Sequence, residues 1–170
     1  MRYFGNMEFN LRSVPPAMKL IITGFLGFML AGYFLNLVMT ISTIGLTYGS
    51  IVSYYLGSKT ELAFPKTYRY LLEVSHFHLF IMPLILLTVS HLFLFTSWPA
   101  RRQTPFIVAA FVAMGGQVLL PWLIRYGHRS FALLKTPTDI VMTVSFVTMA
   151  GLPLLEMWRP NKQLHKTGGR

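Results

Sequence analysis

Residues 70–97 read YLLEVSHFHLFIMPLILLTVSHLFLFTS, and Glu73 is the only formal charge among them. A helix needs about 20 mostly apolar residues to cross a bilayer, and inside lipid only a helix or a closed barrel satisfies its own backbone groups. The apolar residues here form a long, nearly continuous run, so the stretch predicts a membrane-spanning helix. Three further stretches meet the same criterion. One runs from about Ala17 to Ile41, one from about Pro105 to Tyr126 and one from about Pro137 to Met157. The fold predicted is an all-α integral membrane four-helix bundle in a single domain covering residues 1–170.

The composition agrees. Of 170 residues 54% are hydrophobic and 12% charged, about half the charge fraction of a soluble domain. The first apolar stretch exceeds the 7–15 residues of a secretory h-region and no small-x-small cleavage pattern follows it, so it is expected to be retained. Pro15 and Pro16 suit its start, and Thr136-Pro137-Thr138-Asp139 suits the start of the fourth. Pro83 and Pro121 fall inside spans and should kink them.

The formal charge of +10 would suggest nucleic acid in a soluble protein. Here the cations sit between the apolar runs, where they set topology and meet lipid phosphates, and no nucleic-acid motif is present. Arg2, Arg12, Lys19, Arg101, Arg102, Arg159, Lys162, Lys166 and Arg170 would share one side. Lys59, Lys66, Arg69, Arg125, Arg129 and Lys135 would share the other. That excess predicts both termini in the cytoplasm of a bacterial inner membrane. The connection 42–69 then lies outside, and its Tyr48, Ile51, Val52, Tyr54, Tyr55 and Leu56 predict a short interfacial helix. Residues 158–170 form a basic tail that includes His165.

Cysteine is absent, which removes disulfides, thiolate metal sites and thioether-linked haem. Histidine carries what chemistry remains, since ionisable residues in spans are functional candidates by default. On a straight helix, His76 and His91 differ by about 60° and about 22 Å. They share a face with Glu73, Phe77, Phe80, Leu84, Leu87 and Thr88, while His78 points about 200° away from His76. His128, just past the third span, falls level with His76 and His78. Two imidazoles at one depth on adjacent helices suit the axial positions of a b-type haem. His128 with His76, or alternatively His78, is the expected ligand pair, His76 being favoured for its place on the polar stripe. Arg69, Arg125 or Arg129 would hold propionates. Gly24, Gly27, Gly115 and Gly116 would give clearance, although glycines in membrane helices more often serve packing. His91 would ligate a second haem only with Met29, Met149 or another subunit. The competing reading of each histidine is an ordinary interfacial hydrogen bond. His76-Phe77-His78 with Glu73 also permits a copper, zinc or iron site at a frayed first turn.

The segment from Ala63 to Thr96, containing FPKTYRYLLEVSHFHLFIMPLILLTVSHLFLFT, and the later PWLIRY from Pro121 to Tyr126 resemble small bacterial four-span membrane proteins with an H-x-H helix start. The architecture is also similar to four-helix b-type cytochrome subunits of respiratory complexes, a fold-level analogy. That likeness implies an electron-transfer subunit rather than a stand-alone enzyme. It would exchange electrons with quinol or with a periplasmic partner such as a c-type cytochrome, and quinone is a further cofactor it allows. This chain departs from those subunits in having too few intramembrane histidines for two bis-histidine haems. Two other classes stand beside this one: a non-catalytic accessory subunit that holds a larger membrane complex together, and a histidine-based metal-binding membrane protein.

Overall fold

The computed structural model describes residues 11–59 and 62–159. His165, Arg2, Lys162, Lys166 and Arg170 lie outside the described residues. Five α-helices follow in order: α1 Pro16–Thr43, α2 Tyr48–Leu56, α3 Tyr68–Leu94, α4 Ala100–Trp122 and α5 Lys135–Met157. A π-turn over Leu123–Gly127 extends α4, and a 3-10 segment, Arg129–Leu134, leads into α5. Four stretches are long and apolar enough to cross a membrane: Pro16–Thr43, Tyr68–Leu94, Ala100–Gly127 and Arg129–Met157. The protein is a multi-pass, all-α membrane bundle.

Local sequence explains each boundary. Pro16 starts α1 where a missing N–H costs nothing, and Gly45, at φ +79°, turns the chain out of it. Thr47 and Ser50 cap α2 reciprocally. At the other end of α2, Gly57 has φ +85°, and a Cβ there would lie 2.7 Å from the Ala63 carbonyl oxygen. Thr67 caps α3 by accepting from the Tyr70 N–H at 3.2 Å. Pro83, Pro121 and Pro153 all sit within helices, and Pro121 stands two residues before the π-turn, a known way for a helix to absorb a lost donor.

The core lies between α3, α4 and α5, where Leu86, Val89, Phe93, Ala110, Phe146 and Met149 are buried. The Arg129–Met157 span is the most buried of the four and Pro16–Thr43 the least. So α5 is the central helix and α1 a peripheral one. Leu26 is the buried residue of α1, and α1 leans on α5 while touching α3 at most marginally. The result is a cleft between α1 and α3.

The two ends of the bundle are closed differently. At one end α2 packs Ile51 and Tyr55 against Leu71, Leu120, Ile124 and Ala132. Arg125 Nε donates to the Lys66 carbonyl at 2.9 Å, and Trp122 Nε1 donates to Ser75 Oγ at 2.7 Å. At the opposite end, Leu11 and Val14 pack on Met157. There Glu156, 3% exposed, accepts from the Ser97 N–H at 2.8 Å and the Ser97 hydroxyl at 2.6 Å. The carboxylate thus ties the α3–α4 turn to the end of α5.

Candidate functional site

The cleft between α1 and α3 has a volume of about 520 Å³ and is floored by α4 and α5. Its lining is graded along the bundle. Near the α2 end stand Tyr54, Tyr55, Tyr70, Gln117, Lys135 and Asp139, while Phe28, Met82, Ile85 and Phe146 line the deeper part. Between Tyr70 and Ile85 the α3 wall runs about 22 Å. The space is therefore long, with a polar end and an apolar end.

At the polar end is a closed hydrogen-bonded triangle. Lys135 Nζ donates to Asp139 Oδ1 at 2.5 Å and to Gln117 Oε1 at 2.8 Å, and Gln117 Nε2 donates to the same Asp139 oxygen. Lys135 is 4% exposed and the Asp139 side chain 15%. A charge in such surroundings is costly unless paired, so each member supports the others. Asp139 Oδ2 has no hydrogen-bond partner among the described residues.

His78 is the histidine of the cleft. Its Nδ1 lies 2.8 Å from the Val74 carbonyl oxygen. A carbonyl only accepts, so Nδ1 carries a proton, and in the neutral ring Nε2 is an acceptor with no partner among the described residues. Counted from the α2 ends of their spans, Gly127 and Tyr68, Gln117 and His78 each stand ten residues in, about 15 Å. Farther along the wall, Thr143 donates to the Asp139 carbonyl at 2.7 Å, so the Tyr33 hydroxyl donates to Thr143 at 2.9 Å. Tyr54 and Tyr70 share a hydroxyl hydrogen bond of 2.6 Å. Burial raises the phenol pKa of Tyr55, and of Tyr54 where the bond to Tyr70 adds to it; both phenols stay protonated.

The other singled-out residues stand elsewhere. The stripe of His76, Phe80, Leu84, Leu87 and His91, with Glu73, is the exposed face of α3. His76 rests its ring on Phe80 at 5.0 Å and His91 on Phe95 at 5.1 Å. His128 is exposed and caps the 3-10 segment, its Nδ1 accepting from the Ser130 N–H at 3.2 Å. Arg69 pairs with Glu73 at 2.8 Å, exposed, Arg129 is exposed, and Arg125 is half-buried on the Lys66 carbonyl. Met29 lines the cleft, whereas Met149 is sealed in the core. A Cβ on Gly116 would meet Thr138 at 2.8 Å, so that glycine serves the α4–α5 approach; Gly24, Gly27 and Gly115 border open space. Among the described residues no group of three or more His, Asp or Glu is placed to hold a metal ion.

Sequence reading did not select Gln117, Lys135 or Asp139 as site residues. Lys135 counted as a loop cation and Asp139 as a first-turn acid. The available signal was their i, i+4 spacing, which places opposite charges on one face of a helix entering the membrane.

Residues 45–164 match the model of the Aq_1264_TM family, a transmembrane helical domain. The chain belongs to this family. No curated protein and no solved structure matches it. The Aq_1264_TM domain takes in α2 to α5, so three walls of the cleft and its polar triangle lie within the matched residues, and α1 precedes them.

Proposed function

We propose that the protein is a membrane subunit of an electron-transfer assembly that holds a lipophilic redox ligand in the cleft between α1 and α3. What supports this reading most is one juxtaposition: the His78 imidazole and the Lys135–Asp139 pair face a space that is apolar over most of its length. Ionisable groups in a membrane interior are expensive, and a cavity is where they are retained for a ligand or a proton. With both termini in the cytoplasm of a bacterial inner membrane, the polar end of the cleft faces the periplasm, where a redox partner would dock beside α2.

A second form of the same reading is a b-type haem with His78 as axial ligand. The observation that favours it is the Nδ1–H bond to the Val74 carbonyl, the kind of support that orients a metal-binding imidazole. Met29, Met82 or Met142, on the same cleft, would supply a thioether. This differs from the His76–His128 pair expected from sequence, because neither of those rings lines the cleft.

Reduced-minus-oxidised spectroscopy of the purified protein, with organic extraction of the same sample, tests both forms. Haem or a redox-active lipid near one per chain supports the proposal. An α-band lost in His78→Ala places a haem in the cleft, and one lost in His128→Ala returns it to the His76–His128 pair outside the cleft at the α2 end. Neither haem nor redox lipid in intact protein overturns it.

A further inference from the structure

The polar end of the cleft specifies the chemistry of its occupant more narrowly than its size does. Lys135 and Asp139 together carry no net charge. An anionic head group would have to compete with Asp139 for an ammonium already bound to two oxygens. The pair therefore favours an uncharged polar head.

The unused hydrogen-bonding capacity is asymmetric. Asp139 Oδ2 accepts from nothing among the described residues, and His78 Nε2 is a free acceptor once Nδ1 has donated to Val74. Both side chains are only partly buried, but lipid supplies no hydrogen-bond donor, so the two acceptors favour a ligand with two donors. Lys135 has given two of its three protons, and a hydroxyl at that end both donates to Asp139 and accepts from Lys135. A carbonyl there uses Lys135 alone and faces Oδ2 as one acceptor against another. Tyr54, Tyr55 and Tyr70 add flat aromatic walls near the polar end, which suit a ring. From there the lining turns apolar toward Phe28, Ile85 and Phe146, room for a hydrocarbon tail lying along the bundle.

We infer that the cleft binds a lipid-soluble hydroquinone in preference to the corresponding quinone, one ring hydroxyl at Asp139 and Lys135, the other at His78. The inference rests on the cleft being the ligand site and adds the class and oxidation state of the occupant.

The test uses the full chain in quinone-free phosphatidylcholine nanodiscs, titrated with decyl-ubiquinol and with decyl-ubiquinone, binding being followed by tryptophan quenching. The reduced form should bind about tenfold more tightly, the worth of one hydrogen bond to a strong acceptor. His78→Phe should cut that preference severalfold, chiefly by weakening the reduced form, and leave the part that Asp139 carries. Asp139→Asn, which replaces the acceptor by a donor, should shift the preference toward the oxidised form; if that variant does not fold, His78→Phe carries the test alone. Equal affinities in the unsubstituted protein, or an unchanged preference in His78→Phe, overturn the inference. If neither ring form binds while a phospholipid or haem occupies the cleft, the hydroquinone falls and the cleft stands; an empty cleft removes both.

Discussion

At the scale of single residues, the Lys135–Asp139 pair is the feature whose breaking should cost most. Lys135→Ala leaves a buried carboxylate, and Asp139→Ala a buried ammonium, with Gln117 as remaining company. Breaking one side of such a pair costs about 3–5 kcal/mol, whereas replacing both partners by apolar residues of similar volume is close to neutral. Thermal unfolding in nanodiscs should therefore show each single variant well below the parent and Lys135→Met/Asp139→Leu near it. Additive losses in the double variant would mean that the two residues do not act as a pair. The histidines show how far sequence reaches at this scale. Helical geometry separates His76 from His78 by face, but it does not say which face meets the protein and which meets lipid. The polar stripe of Glu73, His76 and His91 turns out to be the exposed face, and His78, alone on its side, reaches the cleft.

Among the elements, the spans were legible because length and apolarity fix them before any contact is considered. Their ends were less so. The fourth span was expected from Pro137, but α5 begins at Lys135 after the 3-10 segment, because residues 129–134 wind continuously into the helix. Helix proximity has a local signature at Gly116, where a Cβ would meet Thr138 of α5 at 2.8 Å, while Gly24 and Gly27 on α1 face open space. Gly116→Val should force α4 from α5 and cost about 1–3 kcal/mol, and Gly24→Val should leave the melting temperature nearly unchanged. Circular dichroism melts of both variants check this. Equal effects would mean that the α4–α5 contact is not close.

For the whole molecule, the cleft exists because α1 leans on α5 and leaves α3 uncovered. Nothing in α1 announces that choice. It is apolar on every side, so no stripe marks the face it buries, and a site made by the placement of one helix could not be read from periodicity. Gln117, Lys135 and Asp139 come from two helices and acquire meaning only when those helices pack. The measurement that reaches this arrangement most directly is native mass spectrometry of the protein released from membrane nanodiscs, compared with Gly32→Trp. Gly32 lines the cleft and has no neighbour within 4 Å of a Cβ, so an indole there fills the space without displacing the core. The parent should carry one lipophilic molecule per chain and the variant, still folded, should lose it. The same occupancy in both, or none in the parent, would contradict a ligand held between α1 and α3.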